Sequence, residues 1–248
     1  MIRDALPRQL LDQLLDAHDR IYAQEAAAGA LGADGSLHLL GFLTRDDAFL
    51  ELLDLPAVLP LVTGALGWNI HAYHSHLDAH PPVAPEEVPR WRWHQDGGRQ
   101  NLEVETEPTR PRLSVKVGYF LTDVPSADAG PLLVIPGSHL RNTLPRPEPT
   151  MRVFAEPDGA EPVLATAGSA VLFDRRLWHA RGENTSGATR KALFIAYTYR
   201  WIRPREDLWS PLLERLPPVR RQLLGAATDE LGYWIPRADD VPLRGAIG

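Results

Sequence analysis

Along the chain, the spacing of apolar residues changes character near residue 69. Before that point the period is helical. Leu10, Leu11, Leu14, Leu15, His18, Ile21 and Tyr22 form one stripe, after Pro7 and before Gly29, and predict a helix. Asp46 is a candidate N-cap for a second helix carrying Phe49, Leu50, Leu52 and Leu53 on one side. Pro56 opens a third, which stops at Gly67. Stripes of this kind are core-facing surfaces and are assigned packing roles. From Asn69 onward the pattern predicts short strands separated by Pro and Gly. Residues 113–121 alternate and are rich in Val, Tyr and Phe, and the apolar run 132–135 is cut off by Pro136-Gly137. Residues 170–173 and 192–199 complete the set. Helices followed by many short strands predict a mostly β chain with N-terminal helices and a double-sheet jelly-roll core. The expected organisation is one domain over residues 1–248, with a helical buttress (1–68), a jelly-roll core (69–201) and a C-terminal extension (202–248). Residues 81–89 and 145–159 read as loops, and loops this long often border a substrate site.

Composition narrows the chemistry. The 248 residues are 44% hydrophobic and 23% charged, ordinary for a soluble globular protein. There is no cysteine, which excludes disulfides, thiolate metal sites and thiol catalysis. Any metal must therefore be held by His, Asp or Glu. A formal charge of −6 and a pI of about 5.8 give no reason to expect a nucleic-acid partner. Arg3, Asp4, Arg8 and Asp12 interrupt the N-terminal leucines, and no run approaches the ~18 apolar residues of a membrane span. The expected setting is the cytoplasm, without a membrane partner. Lys116 and Lys191 are the only lysines, a bias read as the codon usage of a GC-rich genome and given no chemical meaning.

Nine histidines are present, five of them from His71 to His94. Strand alternation puts His74 and His76 on one face, where packing or support roles are expected ahead of ligation. The pair that matters is His94-Gln95-Asp96. On a strand, residues two apart point to the same side, so an imidazole and a carboxylate converge. Two ligands are too few, and His179, after the apolar run 170–173, is the candidate third. Two histidines and one carboxylate leave coordination positions open, the arrangement that suits iron(II) binding both a co-substrate and dioxygen. Arg190 follows after ten intervening residues, and a hairpin of that length can return it to the same pocket. Its guanidinium could pair bidentately with a dicarboxylate.

These residues carry a resemblance. The order Trp93-His94-Gln95-Asp96, then 130–139 (Gly-Pro-Leu-Leu-Val-Ile-Pro-Gly-Ser-His), then His179 and Arg190, resembles the phytanoyl-CoA dioxygenase family. Residues 69–82 and the preceding helix pair are also similar, so the resemblance covers roughly 35–200. It implies a double-stranded β-helix, iron(II) on His94, Asp96 and His179, and 2-oxoglutarate with its C5 carboxylate on Arg190. It implies further co-substrate contacts at His38, His76 and Tyr119, and a structural role for His139. It also implies a dioxygenase that couples oxidative decarboxylation of 2-oxoglutarate to attack on a C–H bond. Related halogenases lack the carboxylate ligand, so Asp96 points to hydroxylation or oxidative ring closure.

The substrate is less determined. Arg99, Gln100 and Asn101 follow two glycines after Asp96, and Trp178 stands beside His179. Donors beside aromatic faces suit a polar, sugar-containing natural product, as in the small secondary-metabolism members such as orthosomycin oxygenases. The alternatives are a small acyl or amino-acid-like metabolite, or a non-catalytic metal-binding jelly-roll protein. Oligomeric state leaves no mark in the sequence.

Overall fold

The computed structural model describes residues 1–84, 91–97, 103–104, 111–147, 155–206, 211–226 and 242–246. Helix α1 (Arg8–Ala27) buries Leu10, Leu11, Leu14 and Ile21, the stripe expected from the sequence. Helix α2 (Asp47–Leu50) is a single turn, capped by Asp46, whose side chain accepts from Ala48 N–H. Capping by an aspartate satisfies one of the orphan amides of the first turn. Turns continue beyond it and still bury Leu52 and Leu53. Helix α3 (Leu59–Leu66) ends at Gly67, whose positive φ of 80° suits a residue without Cβ. Among the described residues, no helix is long and apolar enough to cross a membrane.

The strands are β1 (Leu37–Leu40), β2 (Ile70–His80), β3 (Ser114–Phe120), β4 (Leu132–Val134), β5 (Glu161–Val163), β6 (Ala170–Asp174), β7 (His179–Arg181) and β8 (Arg190–Tyr199). They form two antiparallel sheets, one ordered β1-β2-β8-β3-β6 and one ordered β5-β4-β7. This mostly antiparallel, two-sheet arrangement is compatible with the expected jelly roll. The connection from His179 to Arg190 is not the hairpin expected: β7 pairs with β4, whereas β8 pairs with β2 and β3. The chain crosses from one sheet to the other between these two residues.

Each strand of the large sheet divides its side chains between two environments. Val115, Val117 and Tyr119 of β3 and Leu193, Ile195 and Tyr197 of β8 pack with the helices in the main core. Lys116, Phe194 and the neighbouring polar residues face a cavity on the opposite side. In β2 the pattern changes phase along the strand. Ile70 and Ala72 join the helical core, but beyond Tyr73 it is Leu77 and Ala79 that do so. The register against β8 shifts between Ala72 and His74, which marks a bulge at Tyr73. One extra residue exchanges the two faces of everything downstream. The bulge therefore delivers His74, His76, Asp78 and His80 together to the cavity.

Candidate metal and co-substrate site

The cavity has a volume of about 500 Å³ and lies between the two sheets. His94 and His179 form an isolated antiparallel bridge, with each residue's N–H donating to the other's carbonyl at 3.0 Å. Asp96 sits on the following turn, where its N–H donates to Arg175 O at 3.0 Å. The His-x-Asp pair is thus not on a regular strand as expected; one bridge and a turn bring its side chains together. Arg175, itself buried, fastens that turn by donating from Nη1 to Asp96 O at 2.7 Å.

The donor set fits a metal. The ligand atoms of His94, Asp96 and His179 all lie within 4.8 Å of one another. His94 Nδ1 is 2.9 Å from Arg92 O and His179 Nδ1 is 2.7 Å from Leu177 O. A carbonyl only accepts, so in each ring Nδ1 carries the proton and Nε2 is left with its lone pair. The two Nε2 atoms are 3.8 and 3.9 Å from the Asp96 carboxylate oxygens. Burial holds His179 down at about 4, so it is neutral at pH 7 as a ligand must be. Burial opposes the charge on Asp96, but Lys116, His179 and His94 outweigh it and hold the carboxyl well below its usual range.

A second His-Asp-His group, His38, His76 and Asp78, lies in the same cavity. Its hydrogen bonds are different. His38 Nδ1 and His76 Nδ1 both turn to Asp78 Oδ1, at 2.7 and 3.1 Å. His80 Nε2 and Arg190 Nη2 approach Asp78 Oδ2 at 3.7 and 3.6 Å. The carboxylate here is already engaged by its own neighbours, which makes it an orienting centre for three imidazoles. It pairs with neither His94 nor His179.

Arg190 begins β8, is 3% exposed, and lines the cavity. Its Nε is buried and has no hydrogen-bond partner among the described residues. A buried, unpaired guanidinium N–H is costly unless a ligand supplies an acceptor, so the arginine fits a carboxylate. His38 and His76 line the same cavity. Tyr119 does not. Its phenol is fully buried among the helices and donates to Leu52 O at 3.2 Å. The cause is strand alternation, which places odd-numbered β3 residues on the helical face and Lys116 on the cavity face. Trp178 is also turned away. Its indole donates to Arg141 O at 3.2 Å and it packs beside Trp93, Ile135 and Ala180, while its neighbour His179 faces inward. Arg99, Gln100 and Asn101 lie outside the described residues. Lys116, Asp78, His80, Phe194 and Arg205 line the cavity and were not singled out from the sequence as site residues.

The family model for phytanoyl-CoA dioxygenase matches residues 1–192. The chain belongs to the phytanoyl-CoA dioxygenase family. Membership makes it a non-haem iron dioxygenase dependent on 2-oxoglutarate. The uncharacterized protein Rv1501 of Mycobacterium tuberculosis is 30% identical over 244 residues, covering 89% of this chain and 82% of that protein. HygX from Streptomyces hygroscopicus, solved with nickel and 2-oxoglutarate bound, has a TM-score of 0.64 at 14% identity, covering 83% of this chain and 84% of its own. AviO1 from Streptomyces viridochromogenes Tue57 has a TM-score of 0.55 at 22% identity, covering 78% and 86%. Both share the fold of this phytanoyl-CoA dioxygenase family member.

Proposed function

We propose that the chain hydroxylates or oxidatively cyclises a polar, sugar-containing natural product, with iron(II) on His94, Asp96 and His179 and 2-oxoglutarate anchored by Arg190. The observation that carries the reading is one cavity lined by the His94–Asp96–His179 donor set and by a buried arginine with an unpaired Nε–H. When bound, the metal and its co-substrate supply the activation of dioxygen. The protein's own share is to hold and orient. Backbone carbonyls fix the tautomers of His94 and His179, and Arg175 fixes the Asp96 turn. Arg190 and Lys116 give the cavity the positive charge that a dianionic co-substrate requires. Asp96 as a carboxylate ligand leaves no vacancy for a halide and supports oxygenation.

The substrate class rests on the lining. Beyond the metal donors the cavity presents His38, His74, His80, Arg181 and Arg205, with Leu40, Leu132, Phe173 and Phe194 as its apolar part. Such a polar wall suits a hydroxylated ring better than an acyl chain, because an apolar occupant would strip water from these imidazoles and guanidiniums and offer no hydrogen bond in exchange. HygX, which shares the fold, is solved with hygromycin B, and SnoN with nogalamycin RO. The test is succinate formation in the presence of glycosylated and aminocyclitol compounds against fatty acyl-CoA. Coupled turnover with the former supports the assignment. Efficient coupled turnover with acyl-CoA alone would overturn it.

A further inference from the structure

One of the two lysines of this arginine-rich chain is buried at the metal donors. Lys116 is 5% exposed and its ammonium is 2.5 Å from Asp96 Oδ2. It is also 3.5 Å from His76 Nε2 and 5.9 Å from the centre of the Phe194 ring. Every part of this niche is built. Asp78 holds the Nδ1 side of His76, which leaves its Nε2 facing the ammonium. His76 stacks on Phe194 with ring centroids 4.6 Å apart and planes inclined by 14°. Phe194 in turn fills the space above Gly118, where an added Cβ would lie 2.6 Å from its Cε1. Carboxylate, imidazole and aromatic face together form a cation seat, and a lysine occupies it.

We propose that Lys116 is a built-in counter-cation of the metal site, which makes metal and co-substrate load together. The inference rests on the assignment of His94, Asp96 and His179 as ligands. Asp96 is both a metal donor and the partner of Lys116, so a dication entering the donor set meets an ammonium on the same carboxylate. Two like charges this close in a buried site repel strongly. The metal alone is therefore held weakly. A dicarboxylate arriving with it supplies the negative charge that both cations need, and Lys116 gains an acceptor in exchange for the share of Asp96 it yields. By linkage, whatever 2-oxoglutarate adds to metal affinity, the metal adds to 2-oxoglutarate affinity. Lys116 is a positioning residue in this scheme. An arginine at the same place would keep the charge, whereas methionine or glutamine would remove it.

The experiment measures Ni(II) affinity by calorimetry in the full-length protein, with and without saturating 2-oxoglutarate, for wild type, Lys116→Met, Lys116→Gln and Lys116→Arg. Without 2-oxoglutarate, the Met and Gln variants should bind Ni(II) about tenfold tighter than wild type or more. The Arg variant should stay near wild type. The enhancement of Ni(II) binding by 2-oxoglutarate should shrink in Met and Gln and persist in Arg. If Met does not fold, the comparison of Gln with Arg decides. Equal or weaker Ni(II) binding in the neutral variants would overturn the counter-cation role while leaving the ligand assignment standing. Failure of the wild type to bind Ni(II) under either condition would overturn the ligand assignment, and the role of Lys116 with it.

Discussion

Replacing Arg190 by lysine isolates the co-substrate half of the site. The guanidinium is buried; one end approaches Asp78 Oδ2 at 3.6 Å, and its Nε is unpaired among the described residues. Lysine keeps the positive charge that Asp78 faces, so the fold should survive, but it replaces a planar fork by a point donor. The loss is one charge-assisted hydrogen bond to the far carboxylate, worth about 1.5–3 kcal/mol. That corresponds to a roughly 10- to 150-fold weaker Kd for 2-oxoglutarate. Calorimetric titration of 2-oxoglutarate into Ni(II)-loaded protein reads the change directly, and a Ni(II) titration without co-substrate serves as the control. Unchanged 2-oxoglutarate affinity would refute the role of Arg190. An equal loss in the Ni(II) control would show damage to the whole cavity.

Three further outcomes follow from the same geometry. Tyr119→Phe should lower stability by about 1 kcal/mol, through the lost bond to Leu52 O, and leave 2-oxoglutarate affinity unchanged; a change in that affinity would put Tyr119 back in the cavity. Gly118→Ala should destabilise by about 1–3 kcal/mol and weaken co-substrate binding, because its Cβ displaces Phe194 and with it His76; wild-type melting and binding would disprove this coupling. His71, whose Nε2 is 3.0 Å from Ile202 O, is held down at about 4 from 6.5, chiefly by burial. Its unfolded form takes a proton first, so stability is present above pH 6.5 and falls by roughly 3 kcal/mol as the pH drops towards 4. Urea unfolding across this range should show a shallower decline for His71→Gln, and parallel profiles would exclude His71 as the cause.

The helical third of the fold was legible because periodicity, a capping aspartate and a terminating glycine all agree at α1, Asp46 and Gly67. Of the strands, β3, β4, β6 and β8 were legible from alternation and apolar runs, whereas β1, which lies inside the stretch expected to be a helical buttress and pairs with β2, and the short β5 and β7 were not. What escaped was phase. The bulge at Tyr73 leaves no composition signal, yet it decides which half of β2 faces the cavity. Tyr119 was placed one residue out of phase with Lys116 and Gly118, and on a strand one residue is the difference between core and site. His94 and Asp96 were expected to converge by strand alternation, whereas a bridge to His179 and a turn pinned by Arg175 bring them together. Lys116 did carry a signal. It is one of only two lysines in an arginine-rich chain and sits on an alternating strand; reading the bias only as codon usage passes over the position it sets apart.

The central claim, that iron is held by His94, Asp96 and His179, is tested most directly by metal stoichiometry. Two double variants separate the two His-Asp-His groups of the cavity: His94→Ala with His179→Ala, and His38→Ala with Asp78→Asn. Calorimetric titration with Ni(II) in the presence of 2-oxoglutarate should give one ion per chain for wild type and for the second variant. For the first variant it should give none, with circular dichroism confirming that both are folded. Retention of the ion by the first variant and its loss from the second would place the metal on the Asp78 cluster and contradict the account.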